Sequence, residues 1–118
     1  MRTPPSIDAF GPGGFRVDGA WRAGSLLIIA DAPRDWRPRN LNEVTAEDIQ
    51  PVLASPPGSV EFLLLGVGPR LAPPPRFVRE ALQGRGLGLE FMATEAAARL
   101  HNVLASQGRL FATALIAI

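Results

Sequence analysis

The last quarter of the chain, "GLGLEFMATEAAARLHNVLASQGRLFATALIAI", allows few folds. It reads strand, helix, strand with almost no spare residues. Leu110, Ala112, Ala114, Ile116 and Ile118 fall on one face of an extended run, and Phe111, Leu115 and Ala117 on the other. A strand that is apolar on both faces belongs in the middle of a sheet covered on both sides. The C-terminal strand is therefore expected to be core, against the usual tendency of termini to fray.

The rest of the chain supplies the partners of that strand. "SIDAFGPGGFRVDGAWRAGSLLIIA" reads as short strands around glycine turns. Ile7 and Phe10 flank the first, "GPGG" at 11–14 reverses the chain, and Phe15 to Val17 pairs back through Asp18-Gly19, a favoured hairpin turn. Residues 25–30 form a buried strand, and "DAPRDWRPRNLNE" at 31–43 reads as a loop because of its prolines and turn formers. Thr45 is a good N-cap with Asp48 placed to complete a capping box, opening a short helix to about Leu53.

Val60 to Leu65 is a second buried strand, closed by Gly66-Val67-Gly68. "APPPRFVREALQGRG" is a helix with prolines at its start, Gly84 at its stop, and Phe77, Val78, Ala81 and Leu82 as its apolar stripe. Leu87 to Met92 is a third strand. Thr94 caps the last helix, whose expected stripe is Ala96, Ala97, Leu100, Val103 and Leu104, and Gly108 ends it. The alternation is α/β, with the strands at 25, 60 and 87 expected to run parallel. The last helix could return the final strand parallel or antiparallel.

With 118 residues the chain is expected to be one domain, 1–118, and 47% apolar residues are ample for its core. The net charge of +1 is too balanced for a strong nucleic-acid or membrane-surface field. All twelve basic residues are Arg, which fits GC-rich coding and a bacterial source. The absence of Cys excludes disulfides, thiolate metal sites and a cysteine nucleophile, and fits a reducing cytoplasm. "MRTPPSIDAF" lacks the apolar core of a signal peptide, and no apolar run reaches the ~18 residues of a membrane helix. A cytoplasmic protein without membrane insertion is expected.

Three blocks, "AFGPGGFRVDGAWRAGSLLI", "VEFLLLGVG" and the final quarter, resemble the family of unknown biochemical function that includes the adipogenesis-associated Mth-domain protein. The same family includes a mitochondrial assembly factor for respiratory complex I. The likeness runs from about Ile7 to Ile118 with the blocks in order and at the right spacing. It implies a three-layer α/β fold: a central mixed sheet, a central C-terminal strand antiparallel to the rest, and a small layer from the N-terminal β-hairpin.

The chain departs from the family pattern at four places. Gly66-Val67-Gly68 stands for Gly-Thr-Gly, and Met92-Ala93-Thr94 for Met-Asp-Thr. Arg99-Leu100-His101-Asn102 stands for Arg-Thr-aromatic-Asn, and Gln107 replaces an acid. If those positions serve a pocket in relatives, the pocket is weaker here.

Candidate sites follow from a few polar residues. Gly66 and Gly68 close a buried strand with Arg70 after them, which could form an anion cradle of backbone N–H groups or a plain tight turn. Neither a P-loop nor a dinucleotide fingerprint is present, because the Lys-Ser/Thr pair and the third glycine are missing. Thr94, at a helix start, could help bind an anion or simply cap the helix. Arg99 and Asn102 could meet a substrate or hydrogen-bond loop carbonyls. His101 is the sole histidine, with Glu95 six residues away and no serine elbow, so it reads as structural or surface.

No catalytic set, cofactor or metal cluster is expected. "PRDWRPR" interleaves Trp36 with arginines. It could be a solvated loop, a protein contact or a nucleic-acid patch, of which Trp36 and Arg37 on a protein partner is the better active reading. Trp36 is expected to be partly exposed or packed near Trp21.

Together these features favour a non-enzymatic protein-interaction or assembly domain with a protein partner and no nucleic acid. The alternative is a small-molecule or anion-binding domain, with or without enzymatic activity, near Gly66, Gly68, Arg70, Thr94 and Arg99 at the strand C-termini.

Overall fold

The apolar runs pair into a mixed five-stranded sheet in the computed structural model, which describes residues 3–118. Before it come β1 (Ile7–Gly11), β2 (Gly14–Val17) and β3 (Ala20–Ala23), an antiparallel sheet of their own. The turn between β2 and β3 is Asp18-Gly19, both at positive φ (48° and 83°), as a tight hairpin requires. The N-terminal layer is thus one strand larger than the hairpin expected.

The central sheet contains β4 (Ser25–Ile29), β5 (Ala32–Trp36), β6 (Phe62–Gly66), β7 (Gly88–Met92) and β8 (Phe111–Leu115) in the order β5-β4-β8-β6-β7. The last strand lies at the centre, as its two apolar faces demand. Leu27, Leu63, Leu65, Ala112, Ala114 and Ile116 face α1 (Ala46–Leu53) and α2 (Arg76–Gln83), which contribute Ile49, Val52, Val78 and Leu82. Phe111, Leu115, Leu26, Ile28 and Leu64 face α3 (Thr94–Ser106) and the small sheet, meeting Ala97, Ala98, Leu104, Phe15 and Val17. The result is the three-layer α/β arrangement.

Strand direction corrects two expectations. β8 is parallel to β6 and antiparallel only to β4, so the reversed strand is β4 and not the C-terminal one. β6 and β7 are parallel as expected, but β4 runs against both. The cause lies in residues 31–43, of which Ala32–Trp36 form a strand and not a loop. Ala30 and Asp31 take left-handed φ values of 53° and 62°, and β5 folds straight back onto β4.

The chain therefore enters α1 from β5, and the crossover β5–α1–β6 joins parallel strands as a right-twisted sheet prefers. Pro33 suggested a loop but is tolerated because β5 is an edge strand. A short 3₁₀ turn, Leu41–Glu43, leads to α1. There the expected capping box forms: the Thr45 N–H and hydroxyl donate to Asp48 Oδ2 at 2.8 and 3.0 Å.

Removing residues 112–118 takes the centre out of the sheet. Ala112, Thr113, Ala114, Leu115 and Ile116 are all buried, and large apolar side chains contribute ~1.5–3 kcal/mol each against a total margin of ~5–15 kcal/mol. The truncated chain should show neither a cooperative melt by circular dichroism nor dispersed amide NMR signals.

Candidate functional site

The C-terminal ends of β6 and β8 meet the first turn of α3 at one corner. Gly66 ends β6 where α3 approaches closely. A Cβ there would lie 2.8 Å from Leu115 Cδ2 and 3.0 Å from both Thr94 Cα and Oγ1. Gly68 follows with φ +117°, a conformation open chiefly to glycine. Contrary to the sequence expectation, Thr94 does not cap the helix; Ala93 holds the cap position.

The Thr94 hydroxyl instead binds across the corner. It accepts the Gly68 N–H at 2.9 Å and donates to the Ile116 carbonyl at 2.8 Å, while the Thr94 N–H donates to the Gly68 carbonyl at 2.8 Å. The Val67 N–H donates to Met92 O, and the Ile116 N–H to Gly66 O. The donors that an anion would need at Val67, Gly68 and Thr94 are thus given to this chain's own backbone and to the Thr94 hydroxyl, and Thr94 is fully buried.

The other two members of the expected edge lie elsewhere. Arg70 is exposed in the segment leaving the corner. Arg99 is five residues along α3 from Thr94, a turn of about 140° around the helix. Its guanidinium lies 3.4 Å from Glu95 and 6.0 Å from the Phe10 ring centroid, beside a cleft of about 300 Å³ next to β1. Gly66, Gly68 and Thr94 are brought together, and Arg70 and Arg99 do not join them. A cleft of about 440 Å³ opens at the opposite end of the sheet, where Val60, Glu61 and Leu87 lead into β6 and β7 and Arg85 lines the wall.

The second polar centre is α3 itself. Its buried stripe is Thr94, Ala97, Ala98, His101 and Leu104, rotated from the expected one; Ala96 is exposed and Val103 is 49% exposed. His101 is buried. Its Nε2 lies 2.9 Å from the Pro5 carbonyl, which only accepts, so Nε2 carries the proton. Nδ1 then accepts from the Thr113 hydroxyl at 2.8 Å. Burial holds the imidazole below its ordinary pKa of 6.5, against the opposing pull of the Pro5 carbonyl and the Asp31 and Asp18 charges.

Next to it, the Asn102 amide accepts the Ile7 N–H at 2.9 Å and donates to the Ile7 carbonyl at 2.8 Å. A single side chain thereby continues the ladder of β1 and ties this sheet edge to α3. Helical spacing from Thr94 through Ala97 and Ala98 to His101 was the sequence signal for these roles, and weighting apolar residues above spacing obscured it.

The loop expected to carry a partner contact is also used internally. Trp36 is 6% exposed, in the core with Ile49 and Val52, and its Nε1–H donates to the Asp48 carbonyl at 3.0 Å. Its ring is not presented to solvent, because position 36 pairs with Ser25 in the β5 ladder and is not in a loop. Arg37 clasps Asp48 with Nε and Nη2 at 3.1 and 2.7 Å and also donates to the Glu43 carbonyl. Burial pushes the Asp48 carboxyl up, but Arg37 and both Thr45 donors outweigh it and hold it below the usual carboxylate range. Among the described residues no three His, Asp or Glu side chains gather as a metal site, and no helix is long and apolar enough to cross a membrane.

This arrangement defines a three-layer mixed α/β domain whose corner residues hold its own elements together. The chain belongs to the protein family of unknown function DUF498/DUF598, whose model matches residues 7–116. An uncharacterized protein of Rhodobacter capsulatus is 39% identical over 110 residues, spanning 93% of this chain and 82% of that one. NADH dehydrogenase [ubiquinone] 1 alpha subcomplex assembly factor 3 of Danio rerio is 30% identical over 93% of this chain, which spans 63% of that protein's length. The crystal structure of a protein described as an outer membrane protein of Bartonella henselae superposes with a TM-score of 0.90 and 32% identity, over 99% of this chain and 98% of that one. The family resemblance drawn from the three sequence blocks is thereby shown.

Two outcomes follow. Gly66→Ala forces a Cβ against Leu115 and Thr94, and should destabilise the fold by about 1–3 kcal/mol in chemical denaturation. His101→Gln should cost about 1–3 kcal/mol through the two buried hydrogen bonds. Because the folded-state pKa of His101 lies below its unfolded value near 6.5, its contribution is complete above about pH 6.5 and is lost as pH falls through the folded pKa. Denaturation midpoints of the unaltered chain should fall over that window, and this part of the slope should be absent from the Gln variant.

Proposed function

We propose that residues 1–118 act as one non-enzymatic protein-interaction or assembly domain, with a role related to the assembly of respiratory complexes. The observation that carries this reading is the internal use of the polar groups best suited to chemistry. Gly68, Thr94, His101 and Asn102 all bind elements of this chain. A general base needs a reachable proton and an orienting partner, and an anion site needs free donors.

The name of the Danio rerio relative supports the direction toward assembly, and the cysteine-free, arginine-only composition fits a bacterial cytoplasm. The proposed partner is a protein, with no nucleic acid and no insertion of this chain in a membrane. Of Trp36 and Arg37 at the end of β5, Arg37 still offers surface, with 57% of its side chain exposed. The Gly66–Gly68 edge is the place for an anion on the alternative reading.

The test is affinity capture of the tagged chain from its native host, followed by mass spectrometry and titration with the purified partner. Saturable recovery of a respiratory-complex subunit or assembly intermediate is expected. Recovery of no protein, together with saturable binding of a small anion lost in Thr94→Val, would replace the proposal with the alternative.

A further inference from the structure

The segment from β6 to the first residue of α2, "PRLAPPPR" at 69–76, has no role in the core or the sheet. Three prolines in a row fix their own φ, and each residue before a proline is held extended. Pro75 has φ −53° and ψ 143°, the polyproline II conformation. Among the described residues, Arg70, Leu71, Ala72, Pro73 and Pro74 take part in no hydrogen bond. A backbone free of internal bonds is what polyproline II has, at three residues per turn.

Exposure along the segment repeats with the same period. Arg70, Pro73 and Arg76 are all exposed, whereas Ala72 and Pro75 are half-buried against the domain. Leu71 is 68% exposed, more than Trp21 or Val103, while Pro74 is half-buried like Ala72 and Pro75. The run 72–75 is thus held extended by its prolines, and the segment presents Arg70, Leu71, Pro73 and Arg76 to solvent.

The charges are not spent within the fold. The side chains of Arg70, Arg76 and Arg79 form no ion pair or hydrogen bond among the described residues. Arg76 and Arg79 begin α2, whose first turn has no acidic residue, so the helix dipole opposes them rather than favours them. Residues 69–79 hold three arginines and no acid in a chain of net charge +1.

Resting on the proposed interaction role, we infer that residues 69–76 are the docking segment, read by a partner protein through an aromatic-lined groove with carboxylates at its ends. Aromatic rings suit Leu71 and the prolines, and a preformed extended helix loses little entropy on docking. Arg70 and Arg76 stand at the two ends of the proline run, so the partner's carboxylates bracket the groove. Bidentate guanidinium pairing adds an orientation requirement that lysine could not supply.

The experiment places photoreactive benzoylphenylalanine at Leu71 of the full chain in the native host, alone and with Arg70→Glu plus Arg76→Glu. All of these positions are exposed, and thermal melts confirm that each variant folds. The proposal expects one protein adduct, mapped to a partner peptide with aromatic and acidic residues, and weakened about tenfold or more by charge reversal.

An adduct indifferent to the reversed charges overturns the proposal. So does binding of phosphatidylglycerol vesicles or DNA that competes the adduct away. If the unaltered chain captures a saturable partner, yet position 71 gives no adduct and the charge-reversed chain captures equally, this segment is wrong while the interaction role stands. If the unaltered chain captures no protein, both fall.

Discussion

Everything in this molecule is arranged around a strand that cannot meet water on either side. β8 sends Ala112, Ala114 and Ile116 to one face and Phe111 and Leu115 to the other, so two cores must exist and two layers must cover the sheet. The two faces differ in size. Small Ala112 and Ala114 lie on the face covered by α1 and α2, while the larger Phe111 stacks on Phe62 on the α3 face, with ring centroids 5.5 Å apart. The close approach of α3 is made possible elsewhere, by the missing side chain of Gly66. Close packing of this kind tolerates little change in volume.

Two polar fasteners hold the layers in register. At the top of the sheet the Thr94 hydroxyl ties the chain after β6 to the end of β8, and along α3 the His101 ring and Asn102 amide hold the N-terminal segment and β1. Each meets a backbone group that would otherwise be buried or left at an open edge, and such satisfied groups specify a single packing. Asn102 also blunts the edge of β1, a place where strands otherwise recruit other chains. Where family members are expected to have a threonine within Gly66-Val67-Gly68, the valine here is buried in the α1/α2 core. The corner works as packing without that hydroxyl.

The layers and the central place of β8 were legible because hydrophobic alternation reports burial directly. Strand direction was less so. The turn at Ala30-Asp31 needs two left-handed residues but lacks the Asn-Gly signature, and Pro33 argued against a strand that an edge position in fact permits. That one missed hairpin hid β5, put Trp36 on the surface and made β4 parallel to β6 and β7, while the reversal of the last strand came from the family resemblance. The candidate site failed differently. Gly66, Gly68 and Thr94 were chosen correctly as neighbours, but spacing alone does not reveal whether a donor is free. Thr94 reads equally well as a cap, an anion ligand or a fastener until the Ile116 carbonyl is placed beside it.

The distribution of charge then separates residues that serve the fold from those that do not. Arg22 lies 3.1 Å from Asp35 and bridges the two sheets, Arg37 clasps Asp48, Arg99 meets Glu95 and Phe10, and Arg109 lies 5.2 Å from the centroid of Phe62. These pairs sit where elements join. Arg76 and Arg79 sit in the first turn of a helix that gains nothing from them, and Arg70 lies six residues before it. In a chain of net charge +1 they create no long-range field, since screening at physiological salt confines their influence to about 8 Å. Only a molecule already seated against that loop would feel them. The arrangement therefore suits short-range recognition of one docked surface better than electrostatic capture of a polyanion, which would need positive charge spread over a much larger face.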